Sequence, residues 1–487
     1  MIDDLKPYPV YKDSGVSWLG QVPVHWDVKR QRNIADMRVS NVDKLSIDGE
    51  IPVRLCNYVD VYKNDFITDK IPFMRATAST TEIDRFRLRL GDVIVTKDSE
   101  SWDDIGVPAL VRYAAPDLVC GYHLAVLRPR DQVILGDYLF RAIQSQGVAS
   151  QYFVAANGVT RFGLSQDAIK SVVIPVPPLE EQRKITHYLD YADRRIKRYI
   201  RAKQKLIKLL EEQKQAIIHQ AVTRGLDPNV RLKPSGVEWV DQIPVDCEIW
   251  KIGQFAKIGN GSTPSRGDAG YWTESGYPWL NSSSVNQGRI TNSDQFVTIR
   301  ALRECHLPRV QPNSVLVAIT GQGKTRGKAA LLMFEATINQ HIAFISPETR
   351  IVSPDFLQMA LVGSYQRLRA MSDASGSTKG AITCADLKHF QILLPSREAQ
   401  FYFVTEVNAR VRDLEIAAAH ATREIDLIRE YRTRLIADVV TGKRDVREAA
   451  AQLPEEVDAV ELAKVGREVD DDIADVLDNA DAVIESE

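Results

Sequence analysis

Lys12-Asp-Ser-Gly-Val-Ser-Trp-Leu-Gly-Gln-Val-Pro-Val24 returns later in the chain as Lys233-Pro-Ser-Gly-Val-Glu-Trp-Val-Asp-Gln-Ile-Pro-Val245. Ser14, Gly15, Trp18 and Pro23 meet Ser235, Gly236, Trp239 and Pro244 at an offset of 221. Further on the offset settles at 218: His123 meets His341, Thr160 meets Thr378, Gln182 meets Gln400, and Val222-Thr223 meets Val440-Thr441. Residues 12–225 are therefore written again at 233–443. A unit this long is not a solenoid repeat. A doubled unit on one chain suits a doubled target.

The 487 residues exceed what one core supports. A hydrophobic content of 44% and a charged content of 26% are those of an ordinary globular protein. No stretch approaches the roughly 20 apolar residues of a membrane span, and the first residues lack a signal-peptide pattern. The five cysteines are scattered without a CxxC pair, which argues against a disulfide framework or a zinc site and suits a cytoplasmic setting. Residues 448–487 carry fourteen acids against Lys464 and Arg467, a net of −12. The total of −3 therefore leaves +9 on the rest, a basic body suited to a polyanion.

Each copy opens on a mixed globule. Gly91–Thr96 and Ser314–Thr320 read as equivalent buried strands, and short helices are expected at 136–151 and 354–371. Pro175-Val-Pro-Pro178 closes the first globule, and Leu179-Glu-Glu-Gln182 opens a helix with acids in its first turn. Steps of four and three then run through Ile185, Leu189, Ala192, Ile196, Tyr199, Lys203, Leu206, Leu210, Gln213, Ile217 and Gln220. The second copy gives Phe403, Val407, Arg410, Leu414, Ala417, Ala421, Glu424, Ile428, Tyr431, Leu435 and Asp438. Some 45 residues at 1.5 Å each make a rod of roughly 65 Å. Two equal, imperfect seams are most simply buried against each other. The expected fold is α+β: two mixed α/β globules joined by two long helices packed as an antiparallel coiled coil, in a pseudo-two-fold internal repeat. The expected divisions are an N-terminal segment (1–27), the first globule (28–178) and its helical spacer (179–225). A linker with the second entry segment (226–248), the second globule (249–395), its spacer (396–443) and an acidic tail (444–487) complete the chain.

Candidate contacts with a polyanion follow from side-chain chemistry. Thr160-Arg161 and Thr378-Lys379 set a hydroxyl and a cation after a flexible glycine in both copies, suited to phosphate or guanine. Pro52–Tyr58 and Pro278–Ser284 read as equivalent, with Asn57 and Tyr58 in the first copy against Ser283 and Ser284 in the second. Lys324, Arg326 and Lys328 form a Gly-Lys-Arg loop that would touch backbone phosphates, and Lys97 stands in the matching segment of the first copy. His123 and His341, repeated between strands, read as structural. Ala318-Ile-Thr-Gly-Gln-Gly323-Lys324-Thr325 nearly spells a phosphate-binding loop, with Ala318 where the first glycine belongs. A nucleotide-dependent enzyme built on that loop is the alternative reading. No Rossmann glycine loop or metal-ligand spacing is found, so the chain is expected to catalyse nothing.

The order globule–helix–globule–helix resembles the DNA-specificity subunit of type I restriction-modification systems, over about residues 10–445. The resemblance rests on the SGV-x-W-x-x-x-[VI]-P segments at Ser14–Pro23 and Ser235–Pro244, on IPVPPLEEQRKI, and on G-x-T-[RK] at Gly158–Arg161 and Gly376–Lys379. It implies that the globules are target-recognition domains reading the two halves of a bipartite sequence in double-stranded DNA. It implies two partner methyltransferase subunits, which carry S-adenosylmethionine, with no cofactor in this chain. Motor-nuclease subunits can join them, and no membrane is involved. Residues 396–403 depart from the usual helix opening, and the tail is an addition. Val457 to Leu477 have spacings of three and four that allow a helix, which would dock on a basic partner or shield the DNA channel; a disordered solubilising tail is the plainer reading.

Overall fold

A computed structural model describes residues 5–227, 229–321, 323–373 and 380–454. They divide into two compact units: one of residues up to Lys203 together with those from Arg423, the other built on Gln204–Thr422.

The central sheet of the first unit has five strands in the order Ala35–Val39, Leu124–Pro129, Val93–Thr96, Pro108–Val111 and Phe66–Ile67. The second unit repeats it as Ala256–Asn260, Ile342–Pro347, Val315–Ala318, Ala329–Leu332 and Arg289–Ile290. In both, only the last pairing is parallel. The central strands Val93–Thr96 and Val315–Ala318 are wholly buried, as their continuous apolar runs require. Asp27–Arg30 pairs with Val173–Val176, and Glu248–Lys251 with Gln391–Leu394, so each globule closes on itself before its long helix starts.

The expected helix at 136–151 is two, Gly136–Gln144 and Gln146–Ala155, and that at 354–371 is also two, Pro354–Gly363 and Tyr365–Asp373. In the first, Ser145 is extended and its hydroxyl donates to the Ala142 carbonyl, ending one helix and opening the next.

The long helices run Leu179–Arg224 and Arg397–Val440. One glutamine fastens each to its globule. Gln182 accepts from the Leu135 amide and donates to the carbonyls of Val133 and Pro177; Gln400 accepts from Ser353 and donates to Ile351 and Pro395. Both side chains are fully buried. The first unit's core takes Ile185 and Leu189 from one long helix and Leu435, Val439 and Val440 from the other. The second unit's takes Ile218 and Val222, with Phe403, Val407 and Val411.

The apolar stripes drift from a strict seven-residue spacing. Leu206, Gln213 and Gln220 are exposed or nearly so, whereas Ile207, Lys214 and Ala221 turn inward; Val411, Ala418 and Ile425 are buried one residue past Arg410, Ala417 and Glu424. An undistorted helix has 3.6 residues per turn, so its buried face rotates by about 20° per heptad. Within the first unit Lys203 pairs with Glu424 at 2.7 Å, and Tyr199 donates to the same carboxylate at 2.6 Å. Within the second unit Lys214 pairs with Glu415 at 2.8 Å.

Arg444 and Val446 belong to the first unit rather than to a tail. Arg444 donates to the Leu5 carbonyl, the Asp445 amide donates to that of Lys6, and Val446 is fully buried. The span Val457–Leu477, whose spacing allows a helix, lies outside the described residues.

Candidate nucleic-acid interface

In the first unit the hairpin Asn157–Gly158 and Phe162–Gly163 pairs with Asp98–Ser99 to form a small sheet. Gly158 has φ +152, and a Cβ there would lie 1.9 Å from the Arg161 carbonyl oxygen, so only glycine closes this turn. Val159, Thr160 and Arg161 stand exposed at its tip, Val159 at 92%. The strand pairing sets this tip beside the chain after the central strand, so Thr160 and Arg161 share one surface with Lys97, Asp98 and His123.

Asp98 is the centre of that surface. Its Oδ2 is 3.1 Å from the Lys97 ammonium and 2.6 Å from His123 Nδ1. Arg161 Nη2 lies 3.5 Å from His123 Nε2, at the outer limit of a hydrogen bond. Tyr58 stacks on Tyr62 with ring centroids 5.6 Å apart. Burial raises the Tyr58 phenol, while a hydrogen bond with Ser99 and the charge of Arg161 oppose it. Tyr62 donates to Asp104 at 2.6 Å; that bond and burial push its phenol up to about 12. Asn57 caps a short helix: its side chain accepts from the amides of Val59 and Asp60, so its oxygen is spent locally.

The second unit uses the same backbone scheme with other side chains. The Lys97 amide donates to the His123 carbonyl, and the Ile319 amide to that of His341. Leu164 donates to the Lys97 carbonyl, and Ile382 to that of Ile319. Asp98 therefore corresponds to Thr320, whose hydroxyl is 2.6 Å from His341 Nδ1. Gln340 Nε2 lies 3.1 Å from His341 Nε2.

The same backbone scheme corrects the match of Asn57 and Tyr58 to Ser283 and Ser284. Gly121 donates to the Cys56 carbonyl as Asn339 does to that of Leu280, so Asn57 corresponds to Asn281 and Tyr58 to Ser282. Asn281 is also a cap, accepting from the Ser283 amide and hydroxyl. Ser283 is exposed and Ser284 half-buried.

Lys324 is exposed on the 319–328 loop. Lys328 donates to Asn286 at 2.8 Å, and burial lowers its ammonium, with Glu211 opposing. Arg326 departs from the expected phosphate contact: it is 4% exposed, and a Cβ on Gly380 would lie 1.8 Å from its guanidinium. It supports the loop from inside and does not face solvent. Thr378 and Lys379 lie outside the described residues. Thr325 is followed by a turn and the antiparallel strand Ala329–Leu332 rather than a helix, so the Ala318–Thr325 loop lacks the helix N-terminus that a phosphate-binding loop needs. The nucleotide reading has no support.

Asp98, Ser99 and Tyr62 have no signal in the sequence, because polar residues in a loop carry no periodicity. His123 does carry one, its repetition at 341.

Two segments, 26–209 and 244–404, match the family model described as the type I restriction modification DNA specificity domain. The chain is 23% identical over 439 residues to a putative type I restriction enzyme MjaX specificity subunit of Methanocaldococcus jannaschii, covering 88% of this chain and 96% of that relative. It is 21% identical to the MjaIX specificity subunit of the same organism, with the same coverage. Among solved structures it is similar, at 17% identity and a TM-score of 0.57, to a chain from work on complex assembly and conformational transition of the type I R-M system; the likeness covers 86% of this chain and 98% of that one. The chain belongs to the type I restriction-modification DNA specificity family. Its function is recognition of a DNA sequence for a restriction-modification system, without catalysis of its own. Among the described residues no helix is long and apolar enough to cross a membrane.

A side chain that reads a base and one that touches only phosphate respond differently to salt. Lys324→Ala is expected to weaken binding of all sequences by the assembled complex and to lower the salt slope by about 1. Arg161→Ala is expected to remove about 1–3 kcal/mol of discrimination at one base pair. Competition titrations at several salt concentrations separate the two, and an Arg161 variant weaker in affinity but unchanged in selectivity would mark a phosphate contact.

Proposed function

We propose that this chain recognises a bipartite DNA target and presents it to partner methyltransferase subunits. One observation carries the reading: the same hydrogen-bonded scheme is built twice, and the groups it presents differ. Asp98, Tyr58 and Lys97 in one copy stand where Thr320, Ser282 and Ile319 stand in the other. Different donors and acceptors on equivalent loops suit two different half-sites.

On this reading residues 28–178 and 249–395 are target-recognition domains, each in a major groove. The spacers 179–225 and 396–443 form an antiparallel coiled coil within a pseudo-two-fold repeat and measure the gap between half-sites. The partners fall in order within each unit, from Arg432 on Asp193 to Glu424 on Lys203 in the first and from Glu415 on Lys214 to Arg410 on the Leu226 carbonyl in the second, which supports antiparallel pairing. Arg161, Lys97, Tyr58 and Thr160 are the proposed contacts of the first domain. Ser283, Ser284, Lys324, Lys328, Thr378 and Lys379 are those of the second. Asn57 contributes through its cap. Two methyltransferase subunits would carry the S-adenosylmethionine, motor-nuclease subunits would join for cleavage, and the complex would act in the cytoplasm.

Domain exchange tests this. Replacing 28–178 by the matching domain of another specificity subunit is expected to change one half-site and to leave the other half-site and the spacer intact, read by mapping methylation in cells that carry the hybrid. A hybrid that altered both half-sites would sink the two-reader model.

A further inference from the structure

We propose that Asp98 and His123 are positioning residues that aim the Arg161 guanidinium at a guanine, and that Thr320 and His341 give the second domain a different reading group from the same place. The inference rests on the DNA-reading role of the 157–163 hairpin.

His123 takes a left-handed backbone, φ +67, which it shares with only His306 and Asn313 among the described non-glycine residues. Such a conformation is disfavoured and persists where the surroundings enforce it, often at a functional site. Here it turns the imidazole between Asp98 and Arg161. A carboxylate only accepts, so Nδ1 carries the hydrogen and donates to Asp98. A guanidinium only donates, so Nε2 offers its lone pair toward Arg161. The order Asp98–His123–Arg161 thus fixes one imidazole tautomer and gives the long Arg161 side chain a partner at the hairpin tip. An ordered guanidinium loses less rotamer freedom on meeting the two acceptors of guanine, O6 and N7.

The second domain keeps the histidine, and among the described residues its ring nitrogens meet Thr320 and Gln340. The Gln340 amide donates to His341 Nε2, so Nδ1–H donates to the Thr320 hydroxyl. Gln340 Oε1 in turn accepts from the Thr263 hydroxyl. Among the described residues, the group beside His341 Nε2 is thus an amide, which both donates and accepts, where a cation lies beside His123 Nε2. A glutamine in that place suits adenine.

The test is binding selection from randomised duplexes by the assembled complex, with wild type, Arg161→Ala, Asp98→Ala, His123→Asn and Asp98→Thr. Asparagine tolerates positive φ, so His123→Asn removes the ring without forcing the backbone. Arg161→Ala is expected to lose about tenfold preference for guanine at one position. Asp98→Ala and His123→Asn should lose most of that preference at the same position, with the other half-site and the melting temperature unchanged. Asp98→Thr installs the hydroxyl of the second domain and should restore it. Asp98 also holds Lys97, but weakening a phosphate interaction through Lys97 lowers affinity for every sequence alike and leaves selectivity intact. Full selectivity in Asp98→Ala and His123→Asn, beside its loss in Arg161→Ala, overturns the positioning role alone. Full selectivity in Arg161→Ala overturns both that role and the guanine reading beneath it.

Discussion

Asp193→Ala is expected to destabilise the first unit by about 2–3 kcal/mol, because it removes the buried carboxylate shared by three cations, of which Arg141 keeps Asp190 while Lys197 and Arg432 keep Asp65. Asp193, 6% exposed, receives a hydrogen bond from Arg432 and lies 3.5 Å from Arg141 and 3.3 Å from Lys197. Arg141 is 1% exposed and pairs with Asp190 at 2.6 Å. Burial alone would raise the Asp193 carboxyl, but the bond from Arg432 and the charges of Lys197 and Arg141 outweigh it and hold it at about 2. That is below the ordinary aspartate range near 4. The stabilisation is therefore complete above about pH 4 and is lost as the pH falls toward 2, on the order of 2–3 kcal/mol in all.

The second unit has no such cluster at the equivalent place. At the 218 offset Arg141 becomes Met359 and Asp193 becomes Val411, both buried in an apolar core. Acidification from pH 4 to pH 2 should thus loosen the first unit ahead of the second through this cluster, which hydrogen exchange at 136–144 and at 354–363 would resolve. Equal loss of protection in both would show that the cluster does not govern acid stability. Arg141→Met with Asp193→Val, the residues of the second copy, is expected to recover part of the stability that Asp193→Ala removes, since an apolar pair needs no desolvated partner.

The legible and illegible parts of the sequence divide along physical lines. The duplicated entry segment and the buried runs around Val93–Thr96 and Val315–Ala318 are readable because burial leaves a pattern in the chain. The helix openings are readable too: Leu179 is found as expected, and the second helix starts at Arg397 despite its unusual lead. The stripe along the helices is readable only as far as its drift allows. A seven-residue count applied to Lys203, Leu206 and Leu210 slips against a 3.6-residue turn, so it places Leu206 on the wrong face. Arg326 looks like its neighbour Lys324 in sequence, because a turn that buries one cation and exposes the next has no signature in composition. The Asp98–His123–Arg161 arrangement is not legible because it joins three separate loops. Only the pairing of 157–163 with Asp98–Ser99 brings them together.

Inserting four residues after Leu206 is expected to abolish specific binding at the native target, or to move the preferred spacer, while both domains remain folded. The insertion lengthens the first long helix by about 6 Å and rotates its downstream half by about 40°. Leu206 lies between Lys203, paired with Glu424 in the first unit, and Lys214, paired with Glu415 in the second. The second helix keeps its length, so the two pairs cannot both persist once the first is longer. Neither anchor is touched: Gln182 and Gln400 sit at the helix starts, and the cores around Ile185 and Val222 are whole. Each domain should therefore still bind DNA weakly through its cations. Simultaneous engagement disappears, and with it the factor of about a thousand or more by which a specific complex exceeds a non-specific one. Selection from a library of half-sites at varied separations reads the outcome. A new optimum at another separation, or binding no tighter than to unrelated DNA, agrees with a helical ruler. An unchanged optimum at full affinity would mean that the gap is set elsewhere.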